Sequence, residues 1–143
     1  LNSCSFREVG YLAESREARL RSALSELVSK SAEVDAAAVV SMDGLVMASV
    51  LPNTLEEDRL GAMSAALLSL GERTSEELGR GELAQVFVEG KEGYVFLMAA
   101  GEDAVLTALV RKGSKLGLVL YDVKGAAKKI AEIIKSEFRI EYE

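Results

Sequence analysis

The stretch Arg111-Lys112-Gly113-Ser114-Lys115 packs three cations, a glycine and a hydroxyl into five residues. That composition could build a backbone cradle for phosphate. A P-loop, however, spaces its parts as Gly-x-x-x-x-Gly-Lys-Ser/Thr, and no such spacing occurs in this chain. The stretch is read as the start of a helix flanked by lysines, with Ser114 as its N-cap. Other chemistry is removed by elimination. The chain has no histidine and one cysteine, Cys4, so a Ser–His–Asp set, a Cys–His pair and a Cys/His zinc site cannot be assembled. Asp43 is explained by a turn, and no carboxylate pair is spaced for acid–base work. The expectation is no enzyme, no catalytic residue, no cofactor and no metal. Arg59, Arg73 and Arg80 are arginines weighed for a role beyond the surface. Nothing in the sequence marks one, and solvated or ion-paired arginines are expected.

A lone cysteine excludes a disulfide framework within one chain and fits a reducing cytoplasm. The net charge of −6 argues against wrapping by nucleic acid. Charge is unevenly spread: residues 111–135 hold seven basic and two acidic side chains, which reads as a solvated helix face. No apolar run reaches the roughly 18–20 residues of a membrane span; the longest candidate, 94–110, is broken by Gly101-Glu102-Asp103, so no direct membrane insertion is expected. Leu1-Asn2-Ser3-Cys4 has the outline of a lipoprotein cleavage box, but no hydrophobic segment precedes it in this numbering, and it is set aside. With 143 residues, 49% of them hydrophobic, one domain with a real core is expected. It should occupy 16–137, between a flexible tail at 1–15 and a C-terminal tail at 138–143. The latter alternates in polarity, leaving open a docked strand-like end or a frayed one.

The elements that must position any surface follow from periodicity. Leu20, Ala23, Leu24, Leu27 and Val28 form one apolar stripe, predicting a helix over 15–32. Residues 35–42 and 45–51 are short apolar runs around Asp43-Gly44, a hairpin signal of the type I′ kind, and Pro52 ends the second run. Thr54 and Glu57 fit a capping box, opening a helix to about residue 78. Its stretch 61–70 carries no charge. Leu60, Met63, Leu67 and Leu70 form one stripe, and Ala62, Ala65, Ala66 and Ser69 a second, small one. Such a helix should be covered twice, once by a sheet and once by a further partner that the small side chains allow to approach. Residues 83–89 alternate as an edge strand. Residues 94–100 and 104–110 are apolar throughout and should lie centrally. A last helix runs to about residue 137, with Gly117 and Gly125 placed for close approach to a sheet.

This α-β-β-α-β-β-β-α order is that of an α/β sandwich. With AVVSMDGLVMAS at 38–49, the charge-free run 61–70, and LGLVLYD followed by AAKKI at 116–130, it resembles the Roadblock / dynein light chain family over about residues 16–137. The resemblance implies a profilin-like fold with a five-stranded antiparallel sheet in order 2-1-5-4-3. The first and last helices would lie on one face and the middle helix on the other. It implies homodimers joined through paired third strands and side-by-side middle helices, placing Ala62, Ala65, Ala66, Ser69, Leu83, Gln85 and Phe87 at the interface. Bacterial and archaeal members are associated with small Ras-like GTPases as regulators or docking platforms. Eukaryotic members are dynein subunits or scaffolds. On the paired middle helices, the expected GTPase-facing rim is Glu56, Asp58, Arg59, Glu72, Arg73 and Glu76. The region 54–80 is acidic, net −3, which suits a partner with basic residues near its switches; an ordinary acidic surface is the plainer reading of each residue taken singly. A structural scaffold subunit and a small-molecule sensor of profilin or PAS type stay open as alternatives.

Overall fold

The computed structural model describes residues 16–136 in full and backbone elements from Asn2 to Tyr142. The expected tails at 1–15 and 138–143, and the Cys4 stretch, lie outside the fully described residues. The elements run α1 (Asn2–Lys30), β1 (Val34–Ser41), β2 (Val46–Val50), α2 (Glu57–Glu77), β3 (Val86–Gly90), β4 (Gly93–Ala99), β5 (Ala104–Arg111) and α3 (Leu116–Tyr142). The five strands form one antiparallel sheet in the order β2-β1-β5-β4-β3, as the resemblance implies.

Strand alternation sends side chains to two separate apolar layers. Ala37 and Val39 of β1, Phe96 and Met98 of β4, and Leu106 and Ala108 of β5 face α1 and α3, where they meet Leu20, Leu24, Val119, Val123 and Ile130. Ala38, Val40, Leu97 and Val105 face the other way and pack with Leu68 of α2. β1 and β5 are buried on both faces, which is why their sequences show no polar period. The α1 stripe is as expected: Leu20, Ala23, Leu24 and Leu27 are buried.

Three local expectations are corrected. The β1–β2 connection is not a type I′ turn, because Asp43 does not take positive φ; among the described residues only glycines do. Ser41 N–H donates to the Leu45 carbonyl at 2.8 Å, and Gly44 N–H to the Ser41 carbonyl at 2.9 Å. The loop therefore has three residues, and Gly44 at φ +90° supplies the one left-handed position. The capping box at the start of α2 does not form. Glu56 is the N-cap residue and makes no side-chain cap. Leu55 N–H instead closes a turn onto the Pro52 carbonyl at 3.1 Å, and Glu57 accepts a hydrogen bond from Ser49 of β2. Ser114 likewise does not cap α3; its hydroxyl donates to the Arg111 carbonyl at 2.7 Å.

A fourth correction concerns the glycines of the helices. Gly117 and Gly125 do not approach the sheet: a Cβ added at either meets nothing within 4 Å. The close approach is made by Gly61 of α2. A Cβ there would land on the Gly44 carbonyl oxygen and reach Val46 Cγ2 at 3.3 Å. The hairpin loop and α2 thus touch backbone to backbone.

On the opposite side, α1 and α3 are clasped by charge. Glu26 accepts from Lys129 of α3 at 2.6 Å and from Lys30 at 2.7 Å. These hydrogen bonds, from Lys129 first and then Lys30, hold its carboxyl down at about 2 against an ordinary 4.5, and Glu26 holds the Lys30 ammonium above its usual range. The pair is solvent-exposed, so its worth is small and salt-sensitive.

Two outcomes are expected. Gly61→Ala should lower the denaturation midpoint, because overpacking against backbone costs roughly 1–3 kcal/mol and outweighs the helix-propensity gain. Gly117→Ala, with open space around it, should raise stability by up to about 1 kcal/mol; equal shifts of one sign in both variants would contradict the packing described. Since the folded pKa of Glu26 is depressed, its contribution is complete above about 4.5 and fades as pH falls toward 2. Melting curves of Glu26→Gln and the parent should differ near neutral pH and converge in that acid window. A gap that stays constant down to the lowest pH would rule out the clasp as its source.

Candidate functional site

α2 is built from three interleaved series of residues at helical spacing. The first, Gly61, Ser64, Leu68 and Gly71, faces the sheet. Gly61, Ser64 and Leu68 are buried, and a Cβ at Gly71 would meet Val86 Cγ2 at 2.7 Å. Ser64 is the polar member of this layer, and Thr107 Oγ1 of β5 donates to its hydroxyl at 2.8 Å. The second series, Met63, Leu67, Leu70 and Leu78, points outward: Met63 is 52% exposed, Leu70 62% and Leu78 68%. The third, Asp58, Ala62, Ala66, Ser69, Arg73 and Glu76, is exposed as well.

The phase of the helix therefore differs from the simplest reading of its sequence. Of the large apolar stripe only Leu60 packs with the sheet-facing layer; Met63, Leu67 and Leu70 turn outward, and the small Gly61, Ser64 and Gly71 let the helix sit close. The signal was present as Gly61, Ser64 and Gly71 at spacings of three and seven. Of the expected interface residues, Ala62, Ala66 and Ser69 stand on the outer face and Ala65 is half-buried at its margin.

Next to the large series, a groove of about 470 Å³ separates the C-terminal half of α2 from the approach to β3. Leu67, Leu70, Leu78, Leu83 and Val86 line it. β3 is shorter than expected. Leu83 and Gln85 precede it and are half-buried, and Leu83 packs against the α2-side layer. Phe87 is in the strand but turned to the α1–α3 side, where its ring stacks on Tyr94 with centroids 5.5 Å apart and lies 5.1 Å from Phe96. The three expected edge residues therefore do not share one face. Val88, on the α2 side by alternation, is 39% exposed. β3 ends the sheet, so the polar groups of its outer side have no strand beside them.

The charged rim is spread more widely than expected. Arg59 lies 3.7 Å from Glu56, and Arg73 lies 3.6 Å from Glu77, both pairs well exposed. Asp58 and Glu76 are exposed at opposite ends of α2, whereas Glu72 is half-buried toward the sheet. Arg80 follows the helix and borders the groove.

The phosphate-like stretch is occupied by its own structure. Arg111 Nε donates to Asp35 Oδ1 at 2.6 Å, and the Ser114 hydroxyl is spent on backbone. No group of three or more His, Cys, Asp or Glu side chains converges as a metal site among the described residues. No helix there is long and apolar enough to cross a membrane. What the described residues present is an apolar ridge on one helix, a row of small and charged residues beside it, and an open strand edge.

Comparison with known proteins gives the same architecture. The chain is 38% identical over 103 residues to the uncharacterized protein MJ1340 of Methanocaldococcus jannaschii, covering 72% of this chain and 90% of that protein. A Roadblock/LC7 domain from Streptomyces avermitilis superposes with a TM-score of 0.62 at 35% identity, covering 77% of this chain and 96% of that one. The gliding protein MglB of Thermus thermophilus shares the fold, with a TM-score of 0.76 at 21% identity over 85% of this chain and 92% of its own. Residues 21–110 match the Roadblock/LC7 domain, and the chain belongs to that family.

Proposed function

We propose that the protein is a homodimeric, non-catalytic regulator or docking platform for a small Ras-like GTPase, working in the cytoplasm. The observation that carries the dimer is the outward apolar series of α2 beside the open edge of β3. Met63, Leu70 and Leu78 are more exposed than a lone domain has reason to leave them. A second copy related by a twofold axis offers the same ridge and the same edge. Pairing two β3 strands would continue the sheet across the axis and bring two α2 helices together, with Ala62, Ala65, Ala66 and Ser69 allowing close approach. Leu83, Gln85 and Phe87 would then border the joined strands.

The GTPase reading rests on membership of the Roadblock/LC7 family, whose bacterial and archaeal members are associated with such partners. It is supported by the acidic and basic rim of α2. Glu56, Asp58, Arg59, Arg73 and Glu76 surround the helix face without convergent catalytic geometry, which suits docking. Glu72 stands nearer the sheet and would reach a partner from the flank. A regulator of this kind acts by favouring one arrangement of the GTPase's own switch segments. The structural scaffold role shares the dimer and lacks the nucleotide-dependent partner.

Sedimentation should find two chains per particle. Leu70→Glu should weaken self-association on the order of a hundredfold, since a carboxylate would be stranded in an apolar contact. Its circular dichroism should stay that of the parent, because Leu70 contributes little to the monomer core. A single chain at every concentration, or an unaltered mass for Leu70→Glu, would remove the dimer. For the second half, capture of a GTP-loaded Ras-like GTPase should fall roughly tenfold, or 1.4 kcal/mol, in the Glu72→Ala, Arg73→Ala double variant. Its dimer mass should not change. Undiminished capture counts against this surface, and capture indifferent to bound nucleotide favours the scaffold.

A further inference from the structure

We infer that the α1–α3 face carries a second docking groove, shaped and charged for an acidic amphipathic helix of another protein. The groove lies between α1 and α3 and holds about 530 Å³. Its floor is apolar, built from Ala23, Leu27 and Ala126, and Tyr121 stands at its side. Tyr121 is 78% exposed and the nearby Leu118 61% exposed. These are large apolar surfaces on a helix whose other outward residues are mostly charged.

The charge of the groove sets the partner's sign. Lys30, Lys124, Lys128 and Lys129 border it against Glu26 and Asp122. Glu26 is already held by Lys30 and Lys129. Lys124 and Lys128 are left on the outer rim, exposed. The whole chain carries −6, so this cationic rim is a local departure from the molecule's sign. It complements a carboxylate-flanked seam and repels a basic one.

The shape of the groove sets the partner's form. Tyr121 and Gly125 line the groove one four-residue step apart on α3, and Gly117 continues the same outward line beyond the groove. A Cβ at either glycine would meet nothing in this chain, and neither takes positive φ. Turn geometry and internal crowding therefore both fail to explain two helix-weakening residues. Bare backbone flanking a tyrosine is what a second helix needs to lie close. A lipid surface is flat and would gain little from a recess between two helices. The face is on the opposite side of the sheet from α2, so it can be filled while the α2 surface is engaged. It does not rest on the GTPase reading.

The test uses the full chain and two fluorescent synthetic helices of about five turns. They share a leucine–alanine seam; one is flanked by glutamates and the other by lysines. Anisotropy should show the glutamate helix binding at least roughly tenfold more tightly, with affinity falling as salt rises. The double variant Lys124→Glu, Lys128→Glu should invert that preference. Gly125→Leu should reduce binding at least roughly tenfold while leaving circular dichroism and the dimer mass unaltered. Equal binding of the two helices, binding of neither, or full affinity in Gly125→Leu would overturn the inference. So would lysine-dependent sedimentation with phosphatidylserine vesicles when the glutamate helix fails to bind.

Discussion

The close seating of α2 on the sheet is the constraint from which the rest follows. Gly61 brings helix backbone onto the Gly44 carbonyl, Gly71 clears Val86, and Leu68 fills the space between. A helix this near has no room beneath it for Met63, Leu67 or Leu70, so its large apolar residues must turn outward. The Thr107–Ser64 hydrogen bond fixes the rotation. Turning α2 by one residue would strand two buried hydroxyls, at roughly 1–3 kcal/mol each. Among the described residues, no buried side-chain polar atom lacks a partner. The layer is satisfied in this rotation, and this rotation presents the ridge.

The two sides of the sheet are finished differently. Two helices cover one face, with a deep apolar layer from Leu20 and Leu24 to Val123 and Ile130. One helix covers the other, over a small layer centred on Leu68, Leu97 and Val105. A single helix cannot span five strands, and α2 leaves Val88 and the approach to β3 partly open. Contiguous apolar surface left open on a domain is the general mark of an interaction site.

The fold was largely legible because its strongest signals are long-range in pattern and local in chemistry. The unbroken apolar runs 94–100 and 104–110 read as central strands and are β4 and β5, and the 20–24–27 stripe reads as one helix face. The order of elements then made the family recognisable. Details were lost where tertiary contacts overrode local preference. Thr54 and Glu57 have the right spacing for a capping box, but Ser49 claims Glu57 and the Pro52 turn claims Leu55. Asp43-Gly44 marks the reversal correctly, yet one left-handed residue suffices for the three-residue loop. The rotation of α2 was misread because apolar size was weighed above closeness of approach. Residues 83–85 alternate like strand, but Leu83 gains more by packing under α2. The candidate surface was therefore legible as a helix, whereas its division into sheet-facing and outward residues required the structure.

The strand order also governs how the chain can be assembled during synthesis. β1 with β2, and β3 with β4, are neighbours joined by short loops, so each pair can close as soon as it is made. β5 separates the two pairs in the finished sheet. No hydrogen-bonded continuity exists between them until residues 104–111 have left the ribosome. Up to that moment the nascent polypeptide holds two unconnected ribbons, and α2 has only half of its platform. The decisive closure thus waits for β5, and until then the growing chain must be shielded along the seam that β5 will fill.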